Sequence, residues 1–221
     1  YRTMLLTPLH GHGQELRAGL KAHNEKYHAE EGPSQVNVWN IASGERTGSL
    51  SWVQGPLTWT DFDTMTPDSK HMDDWRANVA AHSTMGEWEY WRLASELSYM
   101  PETLTPKMFQ VRYFDIKEEK GNNSREIIGR LVKAYKDTNM DMGLQVFTNQ
   151  VNDENGKDWA ILWFHDSWAS LDRDRDFVEK YEKMYGDDSW DEFFEVWREA
   201  SEYTGMEIQV LQDDLSALGR N

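Results

Sequence analysis

Two stretches of this sequence echo one another at an almost constant offset. Gln35-Val36-Asn37-Val38 lines up with Gln145-Val146-Phe147-Thr148, 110 residues later. Ser49-Leu50-Ser51-Trp52 matches Ala160-Ile161-Leu162-Trp163 at an offset of 111, and Thr58-Trp59-Thr60-Asp61-Phe62 matches Ser167-Trp168-Ala169-Ser170-Leu171 at 109. Both copies of the first pair run into a polar turn, Ser43-Gly44-Glu45-Arg46 and Asp153-Glu154-Asn155-Gly156. Trp91-Arg92-Leu93-Ala94-Ser95-Glu96 reappears as Trp197-Arg198-Glu199-Ala200-Ser201-Glu202, and Leu20-Lys21-Ala22-His23 has a fainter counterpart in Val132-Lys133-Ala134-Tyr135. Matches that keep their order and spacing mark a duplicated structural unit. The copies are expected at 1–100 and 106–215, joined through Tyr99–Pro106 with its two prolines.

Each half predicts the same run of elements. A strand opens it, Arg2 to Leu9 and Met108 to Ile116, rich in β-branched and aromatic residues. A helix follows, with Leu16, Leu20 and His23 on one face in the first copy and Ile128, Leu131, Val132 and Tyr135 in the second. Asn123 or Ser124 is the expected N-cap of the second of these. Two strands then form a hairpin, Val36–Ile41 with Ser49–Gln54 and Gln145–Val151 with Trp159–Phe164. Helices over Asp73–His82 with Glu87–Ser98, and Asp172–Met184 with Trp190–Tyr203, are expected to close the halves. A final strand is expected at Glu207–Leu211, with a short counterpart near Tyr99.

Composition excludes several classes. A net charge of −16 and a pI near 4.8 give no basic footprint for nucleic acid or for an anionic membrane surface. No apolar run approaches the roughly 18 residues of a membrane helix, so membrane insertion is not expected. The absence of cysteine removes disulfides, thiol nucleophiles and sulfur-ligated metals together. No glycine cradle for a nucleotide and no nucleophile elbow occur. The run Asp172-Arg173-Asp174-Arg175-Asp176 reads as a solvated helix start. Tyr1 in place of Met, with an acidic and cysteine-free surface, gives a periplasmic or secreted location as the expectation, with the cytoplasm as the alternative.

A βαββα(β) unit is the ferredoxin-like arrangement. Two in one chain resemble a tandem-fused member of the dimeric α/β-barrel superfamily, similar to NIPSNAP and antibiotic-biosynthesis-monooxygenase domains. The resemblance covers nearly the whole chain and rests on element order and on the repeat. It implies an α+β fold with antiparallel sheets and helices outside, the two halves forming a pseudo-dimeric barrel. The functions it implies range from cofactor-free oxygenation through haem chemistry and isomerisation to simple binding, and a fold does not choose among them.

If that arrangement holds, a cavity between the two sheets is lined by one face of each strand. Gln110, Arg112 and Phe114 share one face, Phe109, Val111 and Tyr113 the other, and alternation does not say which looks inward. Trp159, Ile161, Trp163 and His165 share a face, as do Leu50, Trp52 and Gln54, and Asn37 and Trp39. Trp39, Trp52, Arg112, Trp163 and His165 are therefore the candidate ligand-binding residues; plain packing of the tryptophans is the alternative. Arg112 is the candidate for holding a carboxylate.

Six of the seven histidines lie in the first half, which points to a site there with the second half as scaffold. His10, His12 and Glu15 follow the first strand and form a candidate metal site, with His23 or His71 as a further ligand; solvated loop histidines are the plain alternative. His10, His12 and Arg112 are the candidate catalytic groups. His23 and Tyr27 share a helix face while His28 turns away. His23, which replaces Tyr135 of the other copy, reads as a packed core histidine, and His71, before an expected cap at Asp73, as structural. The resemblance also raises His165 as an axial haem ligand, by analogy with chlorite-dismutase-like members. No cofactor is the leading expectation, with metal and haem as alternatives.

Three readings of function follow. The first is a binder of a small, partly apolar ligand in an aromatic-lined cavity. The second is a cofactor-free or metal-assisted enzyme of the monooxygenase or isomerase kind using the histidine-rich half. The third is a structural or interaction protein with a filled interior. The expected partners are a small molecule and, as a homo-oligomer, further copies of the chain.

Overall fold

The computed structural model describes residues 1–30, 32–151 and 156–217; Asp153, Glu154 and Asn155 of the expected second turn lie outside the described residues. The chain is α+β and divides into two compact units. One comprises Tyr1–Trp91 together with the chain from Gln209 onward, and the other Arg92–Ile208. Unit boundaries therefore do not follow the repeat boundaries, because the end of the chain belongs with its beginning.

The first unit runs β1 (Arg2–Pro8), α1 (Gly13–Tyr27), β2 (Val36–Ser43), β3 (Leu50–Gln54), α2 (Trp59–Thr64), α3 (Ser69–Asn78) and β4 (Ser83–Leu93). Its strands lie antiparallel in the order β4-β1-β3-β2. The second runs β5 (Met108–Ile116), α4 (Gly121–Asp137), β6 (Gly143–Asn149), β7 (Trp159–His165), α5 (Phe177–Tyr185), α6 (Ser189–Ala200) and β8 (Ser201–Leu211), ordered β8-β5-β7-β6. Both orders are the ferredoxin-like one.

The closing segments differ from expectation. Glu87–Ser98, expected to be helical, carries most of β4 instead. Arg2, Thr3 and Met4 of β1 pair with Tyr90, Glu89 and Trp88, and the alternation of Trp88 and Tyr90 with Glu87 and Glu89 suits a strand with one covered face. The Trp91–Glu96 and Trp197–Glu202 match thus joins unlike structures, since Trp197 lies in the last turn of α6. Helix α4 begins beyond Lys120, earlier than an Asn123 or Ser124 cap would give.

In each unit one sheet face is covered by helices. In the first, Met4 and Leu6, Val36 and Val38, and Leu50 and Trp52 pack against Leu16 and Leu20 of α1 and against Val79. Each fully buried aliphatic side chain here contributes about 1.5–3 kcal/mol relative to exposure. Contact between α1 and α3 depends on Gly19, where a Cβ would stand 1.8 Å from the Asn78 carbonyl oxygen. That approach brings the last turns of α1 against the start of α3.

Candidate functional site

The helix-covered face of the first unit changes character along its strands. Leu6 and Leu50 lie in one row, Met4, Trp52, Val38 and Trp88 in the next, and Arg2, Gln54 and Tyr90 in the row beyond. Under the apolar rows the layer is closed. Over the polar row it holds three histidines from α1, the chain just after it, and α3.

His23 and His28 are buried and His71 is half-buried. One nitrogen from each of the three lies within 4.8 Å of the others, the only such group of histidines and carboxylates among the described residues. His23 Nδ1 lies 2.8 Å from Asp74 Oδ2, so its Nδ1–H donates to the carboxylate and its Nε2 carries the lone pair. His28 Nδ1 donates to the Ser34 carbonyl oxygen at 2.6 Å, leaving a buried Nε2 with no hydrogen-bond partner. The Nε2 atoms of His71 and His23 are 3.1 Å apart, so His71 supplies the proton between them. An unpartnered buried polar atom costs about 1–3 kcal/mol. Packing alone therefore does not account for His28.

Aromatic rings fix the imidazoles. Tyr27 stacks on His71 with centroids 4.2 Å apart and planes 3° from parallel. Trp75 meets His23 edge-on at 5.1 Å and Trp52 meets His28 at 5.2 Å, while the Trp52 indole N–H donates to Asn24 Oδ1. Desolvation pushes His28 down to about 4, against the hydrogen bond to Ser34. His23 and His71 are also lowered, by desolvation first, with His23 adding to the effect on His71. Burial alone would raise Asp74, but hydrogen bonds from His23 and Lys26 outweigh it and hold the carboxyl below its usual range. All three shifts favour the neutral imidazole.

Arg2 sits in the adjoining row. Its guanidinium carbon lies 4.3 Å from the Trp88 ring centroid and 5.5 Å from that of Phe62, and its Nε donates to Gln54 Oε1 at 2.7 Å. Gln54 is held in turn by donating to the Pro33 carbonyl oxygen. Arg2 has no carboxylate partner among the described residues, and its charge reaches His28 and His71. Trp59, 62% exposed, and Phe62 from α2 meet Tyr90 at 5.7 Å and form an aromatic rim.

The residues singled out in the sequence are dispersed. His12 Nδ1 lies 3.1 Å from His82 Nδ1, while His10 and Glu15 are exposed, and His10, His12 and Glu15 form no ligand group. Helix α1 starts at Gly13, which places Glu15 on its first turn rather than beside the loop histidines. Trp52 lies on the helix-covered face and Trp39, of opposite parity to Val38, on the other. Arg112 is exposed, 5.3 Å over the Trp163 ring, on the face that Phe114 and Ile161 share with the second unit's helices. His28 does not turn away: the helix ends at Tyr27, and His28 at φ −129° leaves the helical path and swings inward. Arg2, His28 and Asp74 were not singled out. The signal for Arg2 was a charge ending the Leu6–Met4 stripe.

The layer under the second unit's helices differs. Tyr135, Trp159, Ile161, Tyr181, Phe193 and Trp197 fill it. His165, the counterpart of Gln54 by the repeat offset, is buried there with its Nδ1 2.9 Å from Ser170 Oγ and its Nε2 unpartnered. An axial histidine needs an open apolar slot for the macrocycle. The rings that fill this layer count against such a slot there.

No protein-family model matches the chain, and no curated protein matches it in sequence. Solved structures do. A protein with a provisional monooxygenase assignment from Lactobacillus acidophilus superposes with a TM-score of 0.57 at 10% identity, over 96% of this chain and 92% of that one. A chlorite dismutase variant from Candidatus Nitrospira defluvii gives 0.59 at 8% identity, over 97% and 92%. The chain shares the α+β fold of these structures. At these identities the likeness carries architecture and no residue roles.

Proposed function

We propose that the first unit is the working half, and that it is an enzyme of the monooxygenase type acting on a small acid with a flat apolar body. One observation carries the reading. Arg2 is a half-buried cation with only an amide as polar side-chain partner among the described residues, flanked by aromatic rings, in a chain of net charge −16. Where acids outnumber bases so heavily, leaving an arginine without a carboxylate reserves it for an incoming one. Trp88 and Phe62 supply the surface for a planar body, and the fold is shared with a protein of provisional monooxygenase assignment.

In this role Arg2 orients the ligand's carboxylate and Gln54 fixes the guanidinium. Trp59, Phe62 and Tyr90 exclude water at the rim.

Benzoate and phenylacetate, compared with benzamide, test the reading on chelator-treated protein. The carboxylates are expected to quench tryptophan fluorescence saturably and to raise Tm. Arg2→Gln is expected to weaken them by about 10–100-fold, a loss of one charge-assisted contact, with Arg2→Lys in between. Equal binding of benzamide, or unchanged affinity in Arg2→Gln, would overturn it. Mass analysis of aerobic incubations then separates turnover from binding.

A further inference from the structure

We propose that His23, His28 and His71 form a binding site for one divalent first-row transition-metal ion, with a fourth coordination position open on the His71 side. The proposal rests on the reading of the first unit as the working half and supplies the cofactor class of that site.

Four observations carry it. First, the nitrogens converge: all lie within 4.8 Å, and the His23–His71 pair is at 3.1 Å. Metal–nitrogen bonds of about 2.0–2.1 Å at tetrahedral angles put ligand nitrogens about 3.3–3.4 Å apart. Small ring movements therefore complete the sphere.

Second, two imidazoles are already held with a lone pair on Nε2. The Asp74 carboxylate anchors the far side of His23 and the Ser34 carbonyl that of His28. A ligating histidine characteristically donates its other N–H to a carboxylate or a backbone carbonyl, and both kinds of anchor are present.

Third, the His28 Nε2 is buried and unpartnered, which is the state of a ligand atom without its ion. Fourth, the donors are three imidazoles, and Asp74 is engaged behind His23. Such a set suits zinc, cobalt, nickel, copper or ferrous iron, and lacks the oxygen ligands that magnesium and calcium require.

Proton balance is simple. With no ion bound, His71 donates its Nε2 proton to His23. Binding moves that proton to His71 Nδ1, so the imidazole stays neutral and a metal–nitrogen bond takes the proton's place on Nε2. Neutral ligands leave the ion its full charge, and Arg2 adds another nearby. The open position therefore favours an anion, either hydroxide or the carboxylate of the proposed ligand.

The test uses the full chain, stripped by a chelator and reloaded with Co(II) or Zn(II). One ion per chain is expected by elemental analysis, and Co(II) should give the intense visible bands of a tetrahedral site. His71→Ala, at a half-exposed position, is expected to abolish stoichiometric loading while circular dichroism stays native. Asp74→Asn should weaken affinity by about 10–100-fold against a chromophoric chelator, the usual cost of removing an anchoring carboxylate. His12→Ala/His82→Ala should leave loading intact.

Folded wild type without stoichiometric metal, or equal loading of wild type and His71→Ala, would overturn the proposal. Loss of loading in His12→Ala/His82→Ala alone would do so as well, by moving the site. Carboxylate binding by stripped protein is read separately, so it survives a failed metal test and fails without one.

Discussion

At the scale of single residues, position relative to an element's end decides what a side chain does. His28 follows the last helical residue of α1, so helical periodicity misplaces it by half the molecule's layer. His165 offers a second case, with a measurable consequence. Desolvation, aided by Arg175 and Arg173 and opposed by Asp166 and Asp141, pushes it down to about 4, and Ser170 Oγ faces its Nδ1. The folded state therefore keeps it neutral where the unfolded chain, near 6.5, takes up a proton. Its contribution is full above pH 6.5 and is lost as pH falls toward 4, by up to about 3 kcal/mol. His165→Gln, bearing the residue found at the equivalent position of the first unit, should lose less stability than wild type over that window. Urea midpoints at pH 7 and pH 4.5 measure the difference, and parallel curves would refute the assignment. Trp52 was legible from strand alternation; Asp74 was not, because its partner His23 is 51 positions away in the chain.

At the scale of elements, the two copies carry a built-in comparison. Gly19 of α1 and Gly129 of α4 are 110 residues apart, two short of the offset at which the two helices match. A methyl group at Gly19 meets the Asn78 carbonyl oxygen at 1.8 Å, whereas at Gly129 its nearest neighbour is a Leu97 methyl at 3.9 Å. Gly129→Ala should therefore stabilise by up to about 1 kcal/mol through helix propensity. Gly19→Ala should destabilise by about 1–3 kcal/mol and, by parting α1 from α3, weaken metal loading as well. Thermal denaturation of both variants checks the contrast; equal effects would show that the α1–α3 approach is looser than described. The hairpins and the two opening strands were legible because apolar alternation is local. Strand β4 was not, because its helix-like spacing is overridden by pairing with β1, 75 to 88 residues earlier.

At the scale of the whole molecule, charge is the lever. A net charge of −16 works against the compact state through self-repulsion. Raising ionic strength from about 0.01 M to about 0.15 M shortens the screening length from about 30 Å to about 8 Å, and Tm should rise. A flat or falling Tm in a salt titration would mean that the surface ion pairs, such as Arg173 with Asp141, outweigh the repulsion. The sequence by itself determined the α+β class, the echoing segments and the crowding of histidines into the first half, because such patterns are properties of neighbours along a chain. Tertiary structure alone decided which histidines meet, which face of each sheet the helices cover, and that Arg2 is left without an acid among the described residues. Those are properties of residues brought together from α1, α3 and three strands, and no local pattern encodes their distance.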